Sequence, residues 1–178
     1  MSRWQITEGP EGYTPVQCYG VVDDLPWYFR ARGAQWSLDI GGTVATNSEE
    51  DITVQKEIEI YGEPVVFDVI DQSKIIERVP IWWHCESWGK WPEAGYMSND
   101  DVYSCIEKAM TLYMSGTPPV VEKGDPGWRE YVFKSWSEGF ISTDLAVKEL
   151  DFYDWKELKD YALAHNIELP FSIKYKRD

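Results

Sequence analysis

Trp27-Tyr28-Phe29-Arg30-Ala31-Arg32-Gly33-Ala34-Gln35-Trp36-Ser37-Leu38-Asp39-Ile40 is the stretch whose reading decides the fold. Gly33-Ala34 divides it into two alternating runs. A glycine at the first central position is what a two-residue type II′ turn requires, because that position needs a positive φ. The turn sets the register. Ala31 faces Trp36, Phe29 faces Leu38 and Trp27 faces Ile40 on one side; Arg32 faces Gln35, Arg30 faces Ser37 and Tyr28 faces Asp39 on the other. The first side is apolar and the second polar or amphipathic, so a one-residue slip would mix them. Apolar cross-strand pairs of this kind contribute roughly 0.2–1 kcal/mol each. The apolar side needs a cover, which the later helical segments can supply.

Upstream, Gln17 to Val22 reads as a strand entering the hairpin through Asp23-Asp24-Leu25-Pro26, which makes a three-stranded meander. Residues 1–16 carry Gly9-Pro10 and Gly12 and read as irregular. Downstream, Ile52 to Tyr61 alternates, Tyr61-Gly62-Glu63-Pro64 turns, and Val65 to Ile70 returns as the second arm of another hairpin. Its outward carboxylates would be Glu57, Glu59 and Asp68. Lys74 to Arg78 reads as a further short strand, closed by Val79-Pro80. Residues 81–97, IWWHCESWGKWPEAGYM, read as a strand end running into a structured aromatic loop, because Gly89, Pro92 and Gly95 interrupt any regular element.

From Ser98 the period becomes helical. Ser98 is a cap, and Val102, Cys105, Ile106, Ala109 and Tyr113 share a face. Asp125-Pro126 reads as the next cap and Gly139 as that helix's stop. Thr143 to Leu150 makes a short helix. Asp154-Trp155-Lys156-Glu157 has the capping-box spacing, and Asn166 suits a left-handed end with Ile167 packing back. Phe171, Ile173 and Tyr175 alternate and suggest a last strand over 171–175. The chain thus reads as one α+β domain over 1–178: an antiparallel sheet within 17–83, the aromatic loop 81–97, and helices over 98–166 packed on the sheet.

Composition narrows the function. The 178 residues carry a formal net charge of −14, with 10 Trp and 11 Tyr. Such acidity opposes direct contact with a nucleic-acid backbone and favours a basic partner surface. The Trp and Tyr content exceeds what a core of this size needs, and both are frequent binding anchors. Cys18, Cys85 and Cys105 are odd in number and without CxxC spacing, which fits reduced thiols in a cytoplasm. The N-terminal residues have no apolar run of signal type, and no stretch suits a membrane span.

Candidate chemistry is sparse. Phosphate-loop, zinc-protease, serine-hydrolase and calcium-loop motifs are absent, so no cofactor or metal is expected. On a strand, His84 and Glu86 would share a face, a base beside a carboxylate, and an enzyme could be centred there. The ordinary alternative is a half-buried histidine held by an acid. Trp82, Trp83, Trp88 and Trp91 could stack on a nucleotide or sugar, or equally roof the core. Arg30 and Arg32 read as an anion clamp or, more simply in so acidic a chain, as partners for carboxylates, with Asp39 the diagonal neighbour of Arg30. Glu49, Glu50, Asp51, Glu57, Glu59 and Glu63 could form a phosphate-like carboxylate array, or a solvated face.

The run Tyr19-Gly20-Val21-Val22-Asp23-Asp24-Leu25-Pro26-Trp27-Tyr28-Phe29-Arg30-Ala31-Arg32-Gly33, with Trp36-Ser37, resembles a motif in uncharacterised proteins of phages and bacteria. The resemblance implies no activity. It implies a phage or mobile-element setting, and so a host-cell cytoplasm. Small acidic proteins of that setting resemble host-defence antagonists, including anti-CRISPR and anti-restriction inhibitors that imitate nucleic acid. The leading expectation is therefore a non-enzymatic acidic protein that binds a basic protein surface. The alternatives are a small-ligand binder using the Trp-rich loop with Arg30 and Arg32, and an enzyme centred on His84 and Glu86.

Overall fold

The hairpin forms with the register its alternation dictates. In the computed structural model, which describes residues 3–12, 14–42, 44–45, 53–60, 63–70 and 75–174, strand β3 (Leu25–Arg32) pairs with β4 (Gln35–Ile40) from Trp27 opposite Ile40 to Arg32 opposite Gln35. Gly33 turns the chain at φ 66°. Strand β2 (Val16–Val22) joins through Asp23 and Asp24, both at positive φ, which suits the mirror-image hairpin turns that aspartate tolerates. These three strands are the expected meander.

The sheet is larger than the meander. Residues 4–11 are not irregular: they form β1 (Trp4–Glu11), an edge strand on β2. The breakers concealed it, and they appear instead as register shifts between Ile6 and Glu8 and between Glu8 and Glu11. On the other side, β9 (Trp82–Ser87) pairs antiparallel with β4, giving the order β1-β2-β3-β4-β9. The fold class is α+β.

The remaining strands do not belong to this sheet. β5 (Val44–Ala45) pairs with β8 (Ile75–Ile76), and β6 (Thr53–Ile60) with β7 (Glu63–Ile70), in separate two-stranded ribbons. The second hairpin therefore exists but does not extend the meander. The residues group into two compact units, Met1–Gly42 with Val79–Asp178, and Thr43–Arg78.

In the larger unit the apolar side of the sheet is covered by α1 (Asn99–Met114), capped as expected by Ser98, whose hydroxyl accepts the Asp101 N–H. Phe29, Trp36, Leu38, Ile40 and Trp82 pack with Val102, Ile106, Ala109 and Met110, all essentially without solvent exposure. Burying a side chain of this size stabilises by roughly 1.5–3 kcal/mol. The other helices build their own core: α2 (Trp128–Ser137), α3 (Thr143–Glu149), α4 (Trp155–Ala164) and α5 (Phe171–Lys174) gather around Val132, Trp136, Ala146 and Leu158.

Three local expectations change. α2 starts at Trp128 after Gly127 at φ 93°, while Asp125 spends its carboxylate on the Glu122 N–H. Residues 171–174 are helical rather than extended, since the Pro170 carbonyl accepts from Ile173 and Lys174 N–H. The capping glutamate Glu157 reaches the Tyr153 N–H, one residue before the Asp154 cap. Asn166 does take the left-handed conformation, at φ 55°, with Ile167 N–H returning to Ala162.

Candidate functional site

Strand pairing decides which candidate residues can meet. Register places Trp82, His84 and Glu86 of β9 on the same side as Leu38 and Trp36, and Trp83 and Cys85 on the side of Asp39, Ser37 and Arg30. The sheet therefore stands between Arg30 and the His84–Glu86 pair, and no one pocket holds both.

Trp82 is core. It is buried, its Nε1–H donates to the Pro118 carbonyl at 3.0 Å, and Tyr113 meets it edge-on. Trp83, on the opposite side, is also buried. Its Nε1–H donates to Ser135 Oγ at 2.9 Å, Phe140 stacks on it at 4.3 Å, and the Lys134 ammonium lies 5.0 Å from its ring. This one residue ties the sheet to α2.

His84 and Glu86 do share a face. Nε2 of His84 is 2.9 Å from Glu86 Oε1, and Lys108 Nζ of α1 is 2.6 Å from Oε2. The Lys108 contact first, and His84 second, hold the Glu86 carboxyl below its usual range. Both carboxylate oxygens are thus occupied, and the His84 ring rests between Trp36 and Trp82. The nearby Cys105 is buried, and burial pushes its thiol up to about 11, far from a reactive thiolate.

Residues 88–97 are tied to the tip of the hairpin. Trp88 N–H donates to Ala34, Ala94 N–H to Gly33, and Gly95 accepts from Thr14 N–H. Trp88 is half-buried, whereas Trp91 is 78 % exposed and Tyr96 61 % exposed. The Trp91 ring lies against Gly33, where an added Cβ would stand 3.1 Å from Cδ1. Of the four tryptophans singled out, Trp91 presents its ring to solvent.

Among the acids, Glu57 and Glu59 are exposed and share one face of β6. Glu63 is exposed but pairs with Ile60, so it falls on the other face. Glu49, Glu50 and Asp51 lie outside the described residues. Arg32 is exposed at the end of β3.

Arg30 departs from the expectation of a carboxylate partner. Ion pairs join Arg3 to Asp23, Lys108 to Glu86 and Lys123 to Glu149, and among the described residues none joins Arg30 to Asp39. The Asp39 carboxylate instead lies at Gly42, where any added side chain would overlap it. Burial pushes Asp39 up to about 7. Beside it, Tyr28 stacks on Tyr19 at 4.9 Å and donates to Gln17 Oε1 at 2.6 Å. Tyr28, Ser37 and Asp39 were read with Arg30 as the polar side of the hairpin, whereas Gln17 and Tyr19 escaped the sequence reading. The signal was the pairing of β2 with β3, which sets Gln17 beside Arg30 and Tyr19 beside Tyr28.

The chain matches no protein-family model, no curated protein and no solved structure. Among the described residues no helix is long and apolar enough to cross a membrane.

Proposed function

We propose that this is a non-enzymatic acidic binding protein that engages a basic protein surface, in the manner of phage or mobile-element proteins that antagonise host defence in the host cytoplasm. The observation that carries the reading is the charge. With a net charge of −14, even complete pairing of every Lys and Arg would leave fourteen carboxylates without a cation. Exposed acids such as Glu57 and Glu59 lie on one strand face, at the i, i+2 spacing of about 6.8 Å that a strand imposes. That is close to the separation of successive phosphates along a nucleic-acid strand. Trp91 supplies an exposed aromatic anchor of the kind that dominates binding energy at contact centres.

The natural partner of so acidic a protein is a nucleic-acid-binding defence protein, whose basic groove attracts the carboxylates from a distance. Purified defence nucleases titrated with the protein at about 50 mM and about 500 mM salt provide the test. The expected result is at least a tenfold loss of affinity at the higher salt, with duplex DNA competing for the same surface. Binding indifferent to both salt and DNA would overturn the proposal.

A further inference from the structure

Arg30 occupies the middle of the polar side of the sheet, on the central strand β3. Its cross-strand neighbours are Gln17 on β2 and Ser37 on β4, and the adjoining row holds Tyr19, Tyr28 and Asp39. Directly opposed side chains on a sheet have Cβ atoms about 4.5–5.5 Å apart, within reach of a shared ligand. Arg30 is half-buried, and its Nε–H is shut off from solvent with no hydrogen-bond partner. Among the described residues no ion pair reaches it, in a chain with 31 Asp and Glu. A guanidinium presents five donors and no acceptor, and withdrawing it from water without an acceptor is costly.

Its surroundings offer further donors. Gln17 Oε1 accepts from the Tyr28 hydroxyl at 2.6 Å and from the Tyr19 hydroxyl at 3.3 Å. Gln17 and Ser37 stand opposite Arg30 on the two neighbouring strands, and each carries a side-chain donor. Three acids share this side of the sheet, Glu11 opposite Gln17, Glu8 opposite Tyr19 and Asp39 opposite Tyr28, and among the described residues none forms an ion pair with Arg30; the Asp39 carboxylate lies against Gly42. Tyr19, stacked on Tyr28, is 39 % exposed and gives the row an open aromatic edge.

We propose that Arg30, the Gln17 amide and the Ser37 hydroxyl form a binding site for a small oxyanion, the phosphate or carboxylate group of a ligand, with the Tyr19–Tyr28 pair beside it as a surface for an attached ring. A carboxylate or a phosphate group takes two parallel N–H bonds from one edge of a guanidinium, and the Nη ends of Arg30 would supply them. Arg30 and its neighbours would bind such a group whether or not the acidic exterior meets a basic protein.

Calorimetric titration of the full chain with inorganic phosphate and, separately, with benzoate tests the proposal. At least one anion should saturate below about 10 mM. Saturation by phosphate alone assigns a phosphorylated ligand, and by benzoate a carboxylate. Arg30→Gln should weaken binding tenfold or more. Arg32→Gln, at the next same-side position of β3, should weaken it less than twofold. Because Arg30 is half-buried, the unmodified protein provides a second readout: the Arg30 Nε–H resonance should shift and saturate on the calorimetric curve. Silence with both anions, an unmoved Arg30 resonance, or equal losses from the two variants would overturn the proposal.

Discussion

The indole of Trp27 lies directly over Gly20, its partner across β2 and β3, so closely that a methyl group built on Gly20 would overlap the ring and the Gln5 carbonyl on β1. Glycine is required here by the absence of a Cβ. Gly20→Ala should displace either the buried Trp27 ring or the edge strand. The expected loss is about 1–3 kcal/mol, read as a lower urea midpoint with an unchanged slope.

The tryptophans singled out in the sequence should separate sharply on truncation. Trp82→Ala opens a cavity between the sheet and α1 and should cost about 3–5 kcal/mol. Trp91→Ala, at the exposed tip, should change stability by less than about 0.5 kcal/mol. Equal effects in chemical denaturation would mean that Trp91 is as much a core residue as Trp82.

Arg129 holds the helical core together from outside. Its guanidinium lies 5.4 Å from the rings of Phe133 and Phe152 and 5.5 Å from that of Tyr161, and it donates to the Leu150 carbonyl at 3.0 Å. Arg129→Gln should cost about 1–2 kcal/mol. Arg129→Lys should recover part of the cation–ring attraction but not the carbonyl contact. Thermal melts of the three proteins would order them if this account holds.

Asp39 makes stability depend on pH. Burial raises its carboxyl from 3.8 in the ordinary case to about 7, so the folded protein keeps a proton that the unfolded chain releases. The phenols near it, Tyr28 and Tyr131, stay neutral in this range because burial raises both. The Asp39 contribution is therefore fully retained below about pH 4 and lost progressively up to about pH 7. Asp39→Asn should match the parent near pH 4 and exceed it increasingly towards pH 8. A difference in urea midpoint that stays constant across this range would sink the assignment.

The parts of the fold written in local alternation were legible, and the parts that depend on distant pairing were not. Trp27 to Ile40 carried its register because Gly33 fixes the turn and each side has one chemistry. Nothing in the sequence says that β9 joins β4, because that choice is made by Trp82 and Trp83 filling spaces on opposite sides of the sheet. β1 was hidden because Gly9-Pro10 disrupts alternation while bulges preserve pairing. At the other end, three alternating apolar residues after Pro170 were too few to separate strand from helix, and residues 171–174 are helical, with the Pro170 carbonyl accepting the Ile173 and Lys174 N–H groups. The polar cluster around Arg30 was half visible: its β3 and β4 members follow from the hairpin, and Gln17 and Tyr19 emerge only when β2 is aligned.

Ile40 and Trp82 stand opposite one another on adjacent antiparallel strands, although the whole Thr43–Arg78 unit is threaded between them. A neighbouring pair of this kind could be joined by a few turn residues, and closing the longer excursion adds only a logarithmic entropy cost. The junction thus behaves as an insertion port. A lineage can lengthen, shorten or exchange what is spliced there while the hairpin register and the packing of α1 are inherited unchanged.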